Sequence, residues 1–241
     1  SIEMGVLENS VREDLDRNAP RVMAVLKPLK ITLVNWPQGK TELLVAQNHP
    51  NRPELGERQI QFGRELFIEQ EDFMENPPRK FFRLQPGGEV RLRYGYIIKC
   101  EEVIKDADEN VIELLCSYDP DTRSGAETVQ RKVKGTIHWV NSEHAVKAEC
   151  RLYDRLFNIP RPDQDKDGRD FKEFLNPDSL LISKNALVEP AALMETDAAL
   201  QFERTGYFVA DPDSRPDSPV FNRVVSLRDS WAKQEKEHGP T

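Results

Sequence analysis

Cysteine is scarce in this chain and is not arranged for cross-linking. Three cysteines occur in 241 residues, at Cys100, Cys116 and Cys150, with no CxxC pair among them. An odd number at wide spacing argues against both a disulfide framework and a zinc site. We therefore expect three ordinary buried thiols.

Long apolar runs and an excess of positive charge are also missing. No segment approaches the length of a membrane span, and no signal-peptide pattern opens the chain. We therefore expect a soluble, cytoplasmic protein without membrane contact. The formal net charge of −8 argues against non-specific DNA binding, which needs a broad basic surface. It leaves open an RNA that is read by a few arginines.

Two segments resemble ligand-binding loops but lack an essential residue. Residues 163–168 (DQDKDG) match the start of a calcium-binding EF-hand loop, whose twelfth position requires a bidentate Glu and is Phe174 here. Residues 39–41 (GKT) match the end of a phosphate-binding loop, whose first Gly would fall on Val34. The first is better explained as an acidic linker and the second as a hairpin turn.

The sequence contains no complete active site. His138 and His144 have no Cys or carboxylate at ligand spacing. A nucleophile-elbow sequence is absent as well, although residue types alone leave Ser/His/Asp catalysis open. We predict no catalytic residue and no metal site.

Turn-forming residues are abundant and lie between short apolar segments. Seventeen prolines and twelve glycines favour an all-β architecture with many turns. About a dozen strands suggest two sandwiches or barrels. The predicted strands are residues 30–36, 42–46, 58–62, 66–69, 90–105, 111–118, 132–140, 145–153, 180–182, 186–189, 201–210 and 221–227.

The first twenty residues have a helical pattern. Met4, Leu7, Val11 and Leu15 recur at helical spacing, and Pro20 prevents continuation. The pattern predicts one amphipathic helix. Its apolar stripe must pack either on the β body or on something outside this chain.

A cationic strip is predicted on one strand. After the turn at 86–88 (PGG), alternate residues of 90–98 are apolar, and the opposite face carries Arg91, Arg93 and Lys99. Two arginines spaced two apart on a strand project side by side and can hold neighbouring phosphates or base edges. Exposed strand arginines are, however, more often merely solvated.

Six longer segments closely resemble one family, in the same order along the chain. The segments are 12–25 (REDLDRNAPRVMAV), 48–56 (NHPNRPELG), 131–140 (RKVKGTIHWV), 151–157 (RLYDRLF), 201–208 (QFERTGYF) and 220–231 (VFNRVVSLRDSW). Together they are similar to the C-terminal, anticodon-binding region of glutaminyl-tRNA synthetase, from the first helix to Trp231.

The resemblance implies an all-β fold of two β-barrels, the distal one inserted into the proximal one. A linker helix, residues 1–19, would precede them. The proximal barrel would comprise 20–77 and 158–231, the distal barrel 78–157, and the tail 232–241.

The family also implies a class I catalytic domain that ligates glutamine to its tRNA using ATP. The ATP-site signatures HIGH and KMSKS are missing from this sequence. We therefore expect a fragment in which Ser1 is not the natural start and which needs no cofactor itself. Its expected partners are glutamine tRNA and the missing N-terminal catalytic domain, and we expect a monomer.

Seven residues fall on family positions near the three anticodon bases, where unpaired bases can be read by Arg and amide side chains. They are Arg21, Gln201 and Arg204 around the middle base, Arg83 at the third base, Arg91 and Arg93 near the first base, and Asn51 at a further anticodon-proximal position. Two positions depart from the family. Phe82 stands where some members have Lys, and Tyr94 replaces Asn, although either ring could stack on a base.

Three alternatives remain from the sequence. The eukaryotic or archaeal type of glutamyl-tRNA synthetase shares this region, although Gln201 and the Arg91/Arg93 pair favour the glutamine family. A free-standing ribosomal 5S-RNA-binding barrel would generally be basic, unlike this chain. The third alternative is a purely structural interaction domain.

Overall fold

The computed structural model describes residues 4–127, 131–194 and 198–228. Within these ranges one α-helix is followed by sixteen strands, so the all-β prediction is confirmed. The predicted tail 232–241, Trp231 and the first three residues lie outside the described residues. No helix in the described part of the chain is long and apolar enough to span a membrane.

The helix α1 (Met4–Asn18) forms where the apolar spacing predicts it. Val11 and Leu15 pack beside buried Tyr207 on the β body. By contrast, Leu7, one turn closer to the start, is 52% exposed. The apolar stripe is therefore covered only in its C-terminal half.

This uneven packing predicts uneven hydrogen exchange along α1. We expect backbone amides in residues 5–10 to exchange faster than those in 11–18, because little apolar burial opposes opening of the first turns. Two substitutions provide a matched pair. Leu15→Ala should lower the free energy of unfolding, whereas Leu7→Ala should change it by at most about 0.5 kcal/mol. Uniform protection along α1 in a demonstrated monomer would contradict this expectation.

The strands are short and most are bounded by turns. In chain order they are β1 (Arg21–Val22), β2 (Ala24–Val25), β3 (Pro28–Leu33), β4 (Glu42–Gln47), β5 (Glu57–Phe62), β6 (Glu65–Glu69), β7 (Glu89–Leu92), β8 (Ile97–Lys105), β9 (Val111–Tyr118), β10 (Thr136–Ile137), β11 (Val140–Asn141), β12 (Val146–Tyr153), β13 (Leu180–Val188), β14 (Leu200–Phe202), β15 (Gly206–Ala210) and β16 (Val220–Ser226).

The described strands form two seven-stranded sheets and one hairpin. The first sheet has the order β1-β14-β15-β16-β12-β13-β2, and the second has the order β10-β7-β8-β9-β3-β6-β11. The hairpin β4-β5 packs with the second sheet, where Phe62 contacts Trp36 and Trp139 at ring distances of 4.9 and 5.1 Å. The first sheet has its own core, in which Phe202 stacks on Phe208 at 4.2 Å. One nearly closed sheet and one half-barrel agree with the two predicted barrels.

Strand pairing crosses both predicted domain boundaries, at 77/78 and 157/158. β3, from the predicted proximal barrel, forms a parallel pair with β9 from the predicted distal barrel. β12, assigned to the distal barrel, pairs with β13 and β16. One sheet consists of strands from residues 28–141, and the other consists of strands from 21–25 and 146–226. Such long-range pairs carry no local sequence signal, because apolar alternation shows that a strand exists but not which strand is its neighbour.

Two predicted strands are each interrupted by a tight turn. The predicted strand 90–105 stops at Leu92, because the Gly95 amide donates to the Leu92 carbonyl at 2.9 Å and Tyr94 adopts a positive φ of 65°. The predicted strand 201–210 breaks in the same way around Arg204, whose φ is 64°. The continuous strand predicted over 90–105 is therefore wrong. Arg91 lies in β7 and Arg93 in the turn that follows it, although the Arg93 amide still donates to the Ile137 carbonyl at 2.9 Å. In the opposite sense, the predicted strands 180–182 and 186–189 merge into β13.

The cysteines match their prediction, and the acidic segment is bonded internally. Cys100, Cys116 and Cys150 are all free and buried. In the segment that resembles a calcium loop, the Asp165 carboxylate accepts from the Arg169 side chain and from nearby backbone amides. No cluster of potential metal ligands occurs within the described ranges.

Candidate nucleic-acid interface

Arg21 and Gln201 lie side by side where β1 and β14 pair in parallel. The Arg21 side chain is buried against the end of α1. Its Nη1 donates to the Ala19 carbonyl at 2.6 Å, and its Nη2 donates to the carbonyl and to Oδ1 of Asp16, both at 2.9 Å. The guanidinium is therefore fixed by the C-terminal turn of the helix.

Further polar side chains complete this group, which we call the Arg21 cluster (Asp16, Arg21, His49, Gln201 and Tyr207). Gln201 Nε2 donates to the Tyr207 hydroxyl at 3.1 Å, and that hydroxyl lies 3.3 Å from Asp16 Oδ1. His49 Nε2 donates to the Asp16 carbonyl at 2.9 Å. Each of these side chains is held by a neighbour, so the cluster is preorganised.

Asn51 lies beside the Arg21 cluster at an exposed position. Its backbone amide donates to Nδ1 of His49 at 3.1 Å, which leaves the His49 proton on Nε2. No hydrogen bond of the Asn51 side chain is found among the described residues. The Asn51 side chain is therefore placed at the rim of the cluster rather than within it.

Arg204 and Arg83 share one buried carboxylate, which belongs to Asp72. Arg204, in the turn between β14 and β15, donates through Nη1 and Nη2 to the two Asp72 oxygens at 2.6 and 2.8 Å. Arg83 Nε lies 3.3 Å from Asp72 Oδ1. Burial opposes the charge of Arg204, but its hydrogen bonds to Asp72 and the carboxylate charge raise the Arg204 pKa overall. We call these three residues the Asp72 cluster.

The two interrupting turns meet at Glu203. Arg93 Nε lies 3.6 Å from Glu203 Oε2, and the Tyr94 hydroxyl donates to Glu203 Oε1. Burial, together with the Glu203 charge, raises the pKa of Tyr94 to about 12. Tyr94 therefore remains a protonated donor at neutral pH. Its ring also faces the Arg58 guanidinium at 5.7 Å, so this ring is engaged within the fold rather than free to stack on a base.

Arg91 has a different environment from the other arginines of the site. Its Nη1 donates to the carbonyls of Thr122 and Gly95 at 2.7 and 3.1 Å and to Ser124 Oγ at 3.1 Å. It makes no ion pair with any residue that the structure describes. Burial and the neighbouring charge of Arg131 lower the Arg91 pKa. A positive group without a carboxylate partner is suited to receiving an anion such as phosphate.

The structure gathers five of the seven predicted residues around β14 and the turn that follows it. Within this short segment, Gln201 belongs to the Arg21 cluster and Arg204 belongs to the Asp72 cluster. Glu203 lies between them in sequence and faces Arg93. Arg91 and Asn51 form no hydrogen bond or ion pair with the other five in the described structure. The acids Asp16, Asp72 and Glu203, which hold the arginines, were not predicted. Asp72 and Glu203 are distant in sequence from Arg204 and Arg93, respectively, whereas Asp16 precedes Arg21 by only five positions but belongs to no recognised motif.

Two parts of the chain match one kind of domain family. Residues 19–119 and residues 136–211 each match a family described as tRNA synthetases class I (E and Q), anti-codon binding domain. The two matches cover most of both sheets and all seven predicted positions.

Full-length relatives extend this similarity across nearly the whole chain. The glutamine–tRNA ligase of Rhodopirellula baltica is 56% identical over 236 residues, which are 98% of this chain and 39% of that protein. The glutamine–tRNA ligases of Nitrobacter winogradskyi and Pseudomonas putida are 54% and 51% identical over 97% and 95% of this chain, each match being 41% of the relative. The chain thus spans about two fifths of the length of these relatives.

Proposed function

The chain belongs to the anticodon-binding domains of the class I tRNA synthetases for glutamate and glutamine, and from this we propose that it recognises the anticodon loop of glutamine tRNA. The relatives at 51–56% identity are glutamine–tRNA ligases. Their identity favours the glutamine-specific member of the family over the glutamate-specific one.

The observation that carries the proposal is the convergence of base-reading side chains at β14 and its turn. An amide, Gln201, lies next to Arg21, and Arg204 follows in the same segment. Arg83 and Arg93 reach this region from the second sheet, with side chains 41% and 37% exposed. Arg and amide groups of this kind can hydrogen-bond the edges of unpaired bases.

Charge supports a focused contact rather than general binding of polyanions. The net charge of −8 repels a long duplex. By contrast, Arg91, in the second sheet, offers a positive group that has no carboxylate partner among the described residues. A loop of single-stranded RNA can place one phosphate or base at each such point.

We assign Arg91 and Arg93 to the first base, Arg83 to the third, and Arg21, Gln201 and Arg204 to the middle one. Asn51 is assigned to the rim.

We further propose that the chain works as part of a protein that joins glutamine to its tRNA with ATP. ATP would bind a catalytic domain outside this chain, and the protein would act as a cytoplasmic monomer. The names of the relatives and their greater length support this assignment.

Direct binding tests the proposed function. Fluorescence anisotropy should show that the chain binds a labelled glutamine-tRNA anticodon stem-loop in preference to a glutamate-tRNA stem-loop and to 5S ribosomal RNA. Stronger binding of the glutamate stem-loop would indicate the glutamate-specific member. Preference for 5S RNA, or no RNA binding by the folded chain, would contradict the proposal.

The same assignment predicts the enzymatic behaviour of this 241-residue polypeptide. Because the HIGH and KMSKS signatures are missing from it, we expect neither glutamine activation nor tRNA charging. Glutamine-dependent ATP–pyrophosphate exchange measures the first reaction. A full-length relative serves as the positive control, and a mock purification controls for contaminating enzyme. Exchange clearly above that background would contradict the assignment.

A further inference from the structure

Asp72 joins two segments that are far apart in the chain. Its side chain is 1% exposed and receives both terminal nitrogens of Arg204, from the first sheet. The same carboxylate lies 3.3 Å from Nε of Arg83, whose segment leads into the second sheet. One buried acid therefore faces an arginine assigned to the middle base and another assigned to the third base.

The backbone around Asp72 also holds the Arg83 segment. The Leu84 amide donates to the Asp72 carbonyl at 2.9 Å, and Arg83 Nη1 donates to the Glu71 carbonyl at 3.3 Å. Nε and Nη1 of Arg83 are thus directed to this support. Nη2 remains as the donor without a partner in the described structure, on a side chain that is 41% exposed.

Other groups around Arg204 reinforce a single orientation. His138 is buried, and its Nδ1 lies 2.9 Å from Arg204 Nη1, so Nδ1 accepts a hydrogen bond from this guanidinium. The nearby Glu69 carboxylate accepts the backbone amides of Leu26 and Lys27. Asp72 is therefore the carboxylate that orients Arg204, because Arg204 donates to Asp72 while the Glu69 oxygens accept these backbone amides.

We propose that Asp72 is a positioning residue for anticodon recognition, which aligns Arg204 and Arg83 together and so couples the reading of the middle and third bases. This role rests on the proposed function. A shared anchor makes the two readings interdependent, because displacing the carboxylate releases both guanidinium groups. Two arginines with separate anchors would instead read their bases independently.

The test uses Asp72→Asn in the full 241-residue chain. Asn keeps the shape but lacks the charge and can accept through only one oxygen. Dissociation constants are measured for the native glutamine stem-loop and for three variants, each with one anticodon base changed. We expect about tenfold weaker binding of the native loop. Discrimination should fall at the middle and third bases and persist at the first.

Glu189→Gln is the matched control. Glu189 is also a buried acid paired with an arginine between the sheets, here Arg58, and it contacts neither Arg83 nor Arg204. This variant should lower thermal stability and leave base discrimination as in the parent chain. A merely structural role for Asp72 would produce the same pattern in both variants.

A double-mutant cycle separates positioning from direct loss of contact. Arg83→Ala should reduce third-base discrimination strongly in the parent chain and add little in the Asp72→Asn background. If Asp72→Asn does not fold, Asp72→Glu carries the test, since it keeps the charge but shifts the carboxylate by one methylene. It should then show the same selective loss at two bases.

The outcomes distinguish the inference from the function on which it rests. A parent chain that does not distinguish anticodon bases contradicts the proposed function itself. A parent chain that does distinguish them, together with a folded Asp72 variant of unchanged discrimination, overturns only the positioning role. Equal losses at all three bases would also overturn it.

Discussion

Replacing Glu189 by Ala is expected to lower the free energy of unfolding by about 3–5 kcal/mol, because it leaves the Arg58 charge buried without a partner. The two side chains are only 8% and 5% exposed, and they form a two-point ion pair. Glu189 also accepts the backbone amide of Met23 at 2.7 Å. The substitution therefore removes both the counter-charge and a buried acceptor. Urea unfolding followed by circular dichroism measures the loss.

Two controls show that the loss arises from a stranded charge. Glu65→Ala removes one partner of the exposed Lys30–Glu65 pair, in which the side chains are 35% and 50% exposed, and should cost at most about 1 kcal/mol. Arg58→Met combined with Glu189→Ala should be less destabilised than the sum of the single changes, because no lone charge remains. A loss for Glu189→Ala no larger than for Glu65→Ala would contradict the expected role of burial.

The sequence predicted those parts of the fold that depend on local periodicity. α1 follows from the spacing of Val11 and Leu15 and from Pro20, and it ends at Asn18. Strands such as β9 and β12 follow from apolar alternation between turn residues. Because these signals come from neighbouring residues, a single sequence contains them in full.

The interrupting turns were missed because their residues also suit strands. Tyr94 lies in an alternating apolar series that reads as a continuous strand, yet it adopts a left-handed conformation before Gly95. Arg204 does the same in the second turn. A residue other than Gly rarely adopts positive φ, so tertiary contacts, such as that of Arg204 with Asp72, stabilise a conformation that local preference disfavours.

The candidate site was predictable in its cations but not in its acids. The resemblance to a family pointed to the arginines and to Gln201, and most of these converge. By contrast, Asp72 is separated from Arg204 by 132 positions, and no spacing rule connects them. Contacts across such distances come from the pairing of whole sheets, which a single sequence does not specify.

Arg83→Ala is expected to weaken binding of the native glutamine stem-loop by about 1.5–3 kcal/mol, roughly 10- to 150-fold. The guanidinium is held by Asp72 and the Glu71 carbonyl, yet it is 41% exposed, so it can meet a base without leaving its support. The decisive comparison is a stem-loop with a changed third base. A base-reading arginine has already lost its contact there, so Arg83→Ala should cause little further loss.

Salt dependence and a control arginine separate base reading from phosphate binding. If Arg83 bound a phosphate instead, Arg83→Ala would weaken the binding of both stem-loops by similar factors. It would also make the affinity fall less steeply as the salt concentration rises. Arg215→Ala is the control, because Arg215 bonds the Pro212 and Ser214 carbonyls within its own loop and should change neither affinity nor discrimination. If Arg83→Ala leaves binding to both stem-loops unchanged while the fold stays intact, Arg83 does not read the third base. Asp72 would then orient one base-reading arginine, Arg204 at the middle base, instead of two.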